Sequence, residues 1–361
     1  MIYGIIPYFI ILGIIMFFYY NNTIYNKDNQ KLNVWIILTF LSMTLFAGLR
    51  DLSVGTDTRA YVNGFLSEES ISNNISLKEF MLSEPGYYLL KYITRNITIN
   101  YWLLLVFIAG ICYFIILYSI DKYSKNGLIS LFIYITLGYY TFCFNAARQA
   151  IAVSIFVLSI PCILNNNFIK YSLIVCIAAL FHKSVLIAIP LFYLFRLPYS
   201  WRSITILGII SIIITIELPT ILSSASEIEN RYSVYAENKA TGGYLLTLFY
   251  ILLSVFFCYL RNRISKDSLK NYDILLQMLI CGSLIYFIVS ITGSYVELQR
   301  FAAYFQIASI FLFAEIINKH KTVINPVLFS AICIGCLIFY YIFVSTMAKL
   351  TPYKFNQIIF S

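Results

Sequence analysis

The chain has 361 residues, of which 60% are hydrophobic and 11% are charged, and its formal net charge is +9. A soluble domain would carry about 25% charged residues, so the composition excludes a soluble globular protein and predicts a polytopic membrane protein. The basic residues are scattered among the polar segments, which is typical of loops that orient a membrane protein. The net charge therefore does not indicate a nucleic-acid-binding patch.

Apolar runs near the ~20 residues needed to cross a bilayer recur along the whole chain. They predict an all-α protein with about 10–12 transmembrane helices. The runs cover residues 3–20, 33–49, 101–119, 128–144, 149–164, 203–222, 244–260, 273–292, 301–317 and 323–344.

The segment 171–196 is long for one span and carries His182 and Lys183 at its centre. Because a charge in lipid is costly, we predict a broken helix, with halves at about 171–181 and 184–195. With the amino terminus outside, this break also places the basic segment "RNRISKDSLK" on the cytoplasmic side, as the positive-inside rule favours. A single span would reverse that orientation.

This topology places the two long polar segments, 50–100 and 223–243, on the outer face. We therefore predict one integral membrane domain over residues 1–361 with an external loop cap. The polar clusters in the otherwise apolar chain fall on the same side, and they are the candidate functional residues.

Arg148 and Arg300 each lie at the start of, or inside, an apolar helix. Such residues usually face a bundle interior or a wet cavity, and the planar guanidinium fork suits a phosphate or diphosphate. A carboxylate of the chain itself, such as that of Glu297, is the alternative partner. Arg59 is better explained as a snorkelling residue at a helix end.

His182 is the group that would exchange protons near neutral pH, and the neighbouring Lys183 favours an anion. A histidine that only makes structural hydrogen bonds is the alternative. Asp57 and Glu84 are the candidate carboxylates for a general base. Glu84 precedes Pro85 and thus a helix start, where a capping role is the alternative.

No metal site is predicted, because the chain has only two histidines and a histidine-rich site cannot be built. Of the eight cysteines, Cys333 and Cys336 lie in one apolar run, where two small packing residues are expected rather than a redox or metal pair. No cofactor is predicted.

Several of these polar motifs occur together and in order. They are "GLRDLSVGTDTRAY" (48–61), "EPGYYLLKYI" (84–93), "ARQAIAVSIFVLSI" (147–160), "AALFHKSVLIAIPLF" (178–192) and "LQRFAAYF" (298–305). In this arrangement the chain resembles the EpsG family, which is related to the Wzy-type polymerases of bacterial O-antigen, capsule and exopolysaccharide. The resemblance extends from about residue 35 to 315.

The resemblance implies a glycosyltransferase on the outer face of the bacterial plasma membrane. It would transfer a growing glycan from one undecaprenyl diphosphate to a lipid-linked repeat unit, without metal or cofactor. The implied fold is a helical bundle like that of the membrane-embedded GT-C glycosyltransferases, and a chain-length regulator is a candidate partner. The polar residues that match the family are Arg50, Asp57, Glu84, Arg148, Gln149, His182 and Arg300.

Our hypothesis from the sequence is that fixed cations hold the donor diphosphate and stabilise the charge of the leaving group. The cations are those of Arg148 and Arg300, helped by Arg50, with Gln149 and Lys183 beside them. His182, or else Asp57 or Glu84, would deprotonate the acceptor hydroxyl. A flippase for the same lipid-linked sugars and a membrane acyltransferase are the alternatives, although transporters usually show paired broken helices and only one is predicted here.

Overall fold

The computed structural model describes residues 2–25, 33–67, 84–226, 243–292, 296–318 and 322–356. Within these ranges the chain is helical, and no β-strand occurs apart from the isolated bridges Arg50–Phe355 and Ile317–Thr322. The prediction of an all-α membrane protein is thereby confirmed. Residues 68–83 and 227–242, which make up much of the predicted external loops, lie outside the described residues.

The described helices are α1 (Ile6–Tyr25), α2 (Val34–Gly48), α3 (Thr58–Leu66), α4 (Pro85–Ile97), α5 (Tyr101–Tyr123), α6 (Gly127–Thr136), α7 (Phe142–Asn145), α8 (Ala147–Val157), α9 (Ile160–Leu164), α10 (Phe168–Ala179), α11 (Ala188–Phe195), α12 (Trp201–Ser226), α13 (Tyr244–Leu260), α14 (Lys266–Thr292), α15 (Val296–Phe301), α16 (Ala303–Gln306), α17 (Ser309–Ile316) and α18 (Pro326–Ile342). Short 3-10 helices cover Ile2–Gly4, Lys183–Ile187 and Arg261–Arg263, and a π-helical turn covers Phe343–Met347.

By length and composition, six helical stretches in the described part of the chain could cross a membrane. These are Ile6–Tyr25, Tyr101–Tyr123, Ala147–Leu164, Tyr244–Arg263, Lys266–Thr292 and Pro326–Met347. Shorter apolar helices occupy Val34–Gly48, Gly127–Thr136, Phe168–Ala179 and Lys183–Phe195. The chain is a multi-pass membrane protein.

The chain divides into two compact units. The first comprises Met1–Leu158, Ile177–Lys183 and Ile324–Ser361, and the second comprises Ser159–Cys176 and Ser184–Val323. The expectation of a single membrane domain stays a prediction.

In the first unit, α5 is the central helix and packs against α2, α3, α4, α6 and α8. Its apolar residues surround the helix, as expected for a helix that is buried or spans a membrane. Gly48 at the end of α2 allows a close approach, because a Cβ there would lie 2.6 Å from the Val106 Cα.

The segment after α18 folds back along α1 and the end of α2. The Tyr353 ring stacks on Phe46 with centroids 4.1 Å apart, and the Asn356 amide donates to the Leu49 carbonyl at 2.9 Å. The carboxyl-terminal segment thus reaches the point where the polar loop after α2 begins.

In the second unit, α14 packs against α11, α12, α13 and the short helices α15 to α17. Its Gln277 is fully buried and donates to the Phe195 and Leu197 carbonyls at 3.2 and 2.8 Å. Arg261 forms a bidentate pair with Asp273 at 2.7 and 2.8 Å. These contacts pair polar groups inside an otherwise apolar unit.

Candidate functional site

The polar loop between α2 and α3 is folded by its own short side chains. The Asp51 carboxylate accepts from the Ser53 amide at 2.9 Å and from the Ser53 hydroxyl at 2.7 Å. Partial burial raises the pKa of Asp51, but the Ser53 hydrogen bonds and nearby Lys354 outweigh that effect and hold it below its ordinary value. The loop therefore carries an ionised turn, which explains its polar composition.

The same loop packs against the end of α7. Gly55 has φ +94°, and a Cβ there would lie 2.6 Å from the Phe144 carbonyl oxygen. The Thr56 amide donates to Asn145 Oδ1 at 2.9 Å, and the Thr58 hydroxyl donates to the Phe144 carbonyl at 3.2 Å. The first polar motif is thereby joined to the segment that leads into α8.

Arg50 is buried beneath this loop, with 1% of its surface exposed. Its Nη1 donates to the Ala47 carbonyl at 2.5 Å, its Nε donates to the Thr58 hydroxyl at 3.3 Å, and its guanidinium carbon lies 4.3 Å from the centre of the Phe144 ring. Among the described residues no acceptor contacts Nη2. Arg50 thus holds the end of α2, the start of α3 and α7 together, and its role toward a diphosphate stays a prediction.

An ion-paired cluster lies at the first turn of α8. Arg148 Nη1 lies 2.5 Å from Glu84 Oε2, and His182 Nδ1 lies 2.7 Å from Glu84 Oε1. The Glu84 side chain is 2% exposed, against 16% for Arg148 and 22% for His182. We call these side chains the Glu84 cluster.

The cluster is assembled where α4 meets the break that follows α10. The chain leaves α10 at Ala179 and resumes as a 3-10 helix at Lys183, so His182 lies in the break. The Gly86 amide donates to the Leu180 carbonyl at 2.8 Å. A Cβ on Gly86 would lie 3.1 Å from that oxygen, so a glycine at this position allows the two backbones to meet.

Glu84 is held by its partners and not by helix capping. It sits at the N-cap of α4, yet its side chain makes no capping hydrogen bond, so the capping alternative does not apply. Its φ of 60° is unusual for a residue with a side chain and costs ~1–3 kcal/mol. Such strain, held by surrounding contacts, is common at functional sites.

The charge state of Glu84 follows from its neighbours. Burial by itself would raise the pKa of Glu84, but the charges and hydrogen bonds of Arg148 and His182 outweigh burial and lower it to about 2. Glu84 is thus an ionised acceptor at neutral pH.

The geometry fits a histidine oriented by a carboxylate. When His182 donates its Nδ1 proton to Glu84, its Nε2 is left as a proton acceptor. Within the described residues Nε2 has no hydrogen-bond partner, and the side chain is partly exposed. Glu84 also stabilises the imidazolium that forms when Nε2 takes a proton.

The other candidate residues lie as follows. Gln149 follows Arg148 on α8 and is buried, whereas Lys183 begins the 3-10 helix and is half-buried. Asp57 precedes α3, is half-buried and accepts from the Thr56 hydroxyl at 2.8 Å. Arg300 belongs to α15 of the second unit and is half-buried.

Only some of the predicted site residues are in direct contact with one another. The structure brings Glu84, Arg148 and His182 into direct contact, while the side chain of Glu297 lies outside the described residues. In the described ranges no group of three or more His, Cys, Asp or Glu side chains is arranged to hold a metal ion.

Asn145 was not among the predicted site residues, although it lies only three residues before Arg148. Its Oδ1 accepts from the Thr56 amide, and its Nδ2 donates to the Ala348 carbonyl at 2.9 Å. It therefore links the polar loop to the carboxyl-terminal segment just before α8. Its partners are too distant in sequence for any local pattern to have indicated them.

No curated protein and no solved structure matches the chain. The model of the EpsG family matches residues 33–355, a range that contains the polar loop, the Glu84 cluster and most of the carboxyl-terminal segment. The EpsG family is a Wzy-like polysaccharide polymerase family. The chain belongs to the EpsG family, and its role is that of a membrane-embedded polymerase of polysaccharide.

Proposed function

We propose that this protein polymerises undecaprenyl-diphosphate-linked oligosaccharide repeat units at the outer face of the bacterial plasma membrane. The growing glycan leaves its lipid diphosphate and is joined to a hydroxyl of another lipid-linked repeat unit. The observation that carries this proposal is the Glu84 cluster, in which a partly exposed histidine is paired with a buried carboxylate beside an arginine.

His182 is the base in this proposal. A useful general base has a pKa near the working pH, and the pKa of about 2 makes Glu84 too weak a base. Nε2 of His182 accepts the proton of the acceptor hydroxyl while Glu84 holds the ring by Nδ1. Glu84 is then a positioning residue.

The bond changes balance without a further reactant. The acceptor oxygen forms a bond to the anomeric carbon of the donor as its proton moves to His182. The bond between that carbon and the diphosphate oxygen breaks, and the lipid diphosphate leaves with the electron pair. The lipid diphosphate gains one negative charge as it leaves, and the site must stabilise this charge.

Positive charge beside the cluster supports this step. Arg148 contacts the Glu84 carboxylate, and Lys183 directly follows His182 in the chain. In the proposal, these two cationic side chains bind the anionic diphosphate. Fixed charges in a water-poor site stabilise developing charge strongly. The outward orientation is supported by the distribution of basic residues among the loops.

The test is a size profile of lipid-linked and surface glycans from the native host in which the gene carries Arg148→Ala or His182→Gln. Arg59→Ala is the matched control, because Arg59 is exposed on α3. We expect single repeat units on the outer face with either site variant, and a full ladder with the control.

Three results would contradict the proposal. If Arg148→Ala protein is present in the membrane and the glycan ladder is still near normal, Arg148 is not needed to stabilise the leaving diphosphate. Repeat units retained on the cytoplasmic face indicate a flippase. A full-length ladder that lacks acyl groups indicates an acyltransferase.

A further inference from the structure

The helix α4, which carries Glu84 at its start, has its polarity inverted. The buried residues of α4 include Lys91 at 8% and Thr94 at 0% exposure, together with Tyr87. The opposite side is exposed and largely apolar, with Asn96 as its polar residue. Its apolar residues, which we call the apolar stripe, are Leu89, Tyr92, Ile93 and Ile97.

The polar side of α4 is anchored to the end of α3. Arg95 Nη1 donates to the Phe65 carbonyl at 2.8 Å and to the Ser67 carbonyl at 3.3 Å, and Lys91 Nζ donates to the Gly64 carbonyl at 3.4 Å. Cations at the carboxyl end of a helix satisfy its last carbonyls and complement its dipole. Rotating α4 to bury the apolar stripe would break these contacts and those of Glu84.

The length of α4 excludes a membrane crossing. Its 13 residues reach about 20 Å at 1.5 Å per residue, less than the ~30 Å hydrocarbon core. α5, a candidate span, begins soon after α4 ends and packs against it. Its first residues, Tyr101 and Trp102, are of the type that concentrates at membrane interfaces.

We propose that α4 lies in the interfacial layer of the membrane, with the apolar stripe inserted among the acyl chains of the lipid bilayer. An exposed apolar face on a short helix that continues into a span fits this position. The Glu84 cluster then lies at the depth of the lipid headgroups. A lipid-linked diphosphate can reach it there while its hydrocarbon chain stays in the bilayer; this last step rests on the proposed function.

The test uses the full chain in proteoliposomes, with a tryptophan placed in the apolar stripe by Tyr92→Trp or Ile93→Trp. Asn63→Trp is the matched control, because Asn63 is an exposed residue of the neighbouring helix α3. The fluorescence of each variant, after subtraction of the wild-type signal, is measured with two quenchers. One is phosphatidylcholine brominated near the headgroup end of its acyl chains, and the other is aqueous acrylamide.

We expect the brominated lipid to quench the tryptophan at 92 or 93 at least twofold more than the control. Acrylamide should quench the control more strongly. Acrylamide quenching of the stripe equal to that of the control would place α4 in water and overturn the proposal. Quenching by neither reagent would show that protein covers the stripe, which also overturns it. The measurement needs no enzymatic activity, so its outcome is independent of the proposed reaction.

Discussion

Replacing Glu84 with glutamine removes one negative charge from the centre of the cluster and leaves the side-chain size almost unchanged. The pKa of Glu84 falls from 4.5 to about 2 in the folded protein. At 1.36 kcal/mol per unit, its surroundings favour the ionised form by roughly 3 kcal/mol. That is the scale of the interaction that Glu84→Gln removes.

The consequences are unequal for the two partners. A glutamine oxygen can accept from Arg148, but the amide nitrogen then faces Nδ1 of His182 and cannot accept its proton. Arg148 loses its ion pair with Glu84, a loss that costs several kcal/mol for a fully buried pair and less here because Arg148 is 16% exposed. We expect ~1–3 kcal/mol lower stability and at least ~100-fold slower polymerisation, since the general base is no longer oriented.

The assay is the initial rate of ladder formation by purified protein in proteoliposomes supplied with lipid-linked repeat units. Thermal unfolding of the same preparations is measured beside it. Glu217→Gln is the matched control, because Glu217 is exposed on α12, and it should retain both rate and stability. A Glu84→Gln protein with the wild-type rate would refute the assigned role of Glu84 in orienting His182.

The remaining predictions concern pH and the packing around the cluster. The pKa of Glu84 is lower in the folded protein than in the unfolded chain, so its ionised form stabilises the fold fully above pH 4.5. This stabilisation is lost as the pH falls from 4.5 to about 2. The melting temperature of the wild type should show this loss over that range, and that of Glu84→Gln should not. Asn145→Asp keeps the oxygen that accepts from the Thr56 amide but places a second oxygen against the Ala348 carbonyl, so the unfolding free energy should fall by ~1–3 kcal/mol. A melting midpoint equal to that of the wild type would contradict the link that Asn145 makes between the polar loop and the carboxyl-terminal segment. Gly86→Ala should slow polymerisation, because the added Cβ would crowd the backbone of the break. Gly64→Ala is the control: no atom lies within 4 Å of its added Cβ, so the polymerisation rate should not change and the unfolding free energy should stay equal or rise slightly. Equal polymerisation rates for the two variants would argue against the close approach of Gly86 to the break.

Sequence alone determined that the chain is an all-α, multi-pass membrane protein, since apolar runs of spanning length have few alternative folds. It also determined the candidate residues and, through ordered motifs, the family. His182 stood out because ionisable groups within apolar segments are expensive and usually functional. Glu84 was selected as a candidate carboxylate for a general base, and the Pro85 that follows it predicted the helix start at which it lies.

Only the tertiary structure decided which of these groups meet. Glu84 pairs with Arg148 across 64 residues of sequence and with His182 across 98, and no local pattern encodes contacts of that range. Nor could sequence separate the buried Arg50 from the partly exposed Arg148. In helices that are apolar on every side, periodicity does not reveal which face packs inward. Packing therefore decides which arginine is buried and which stays partly exposed.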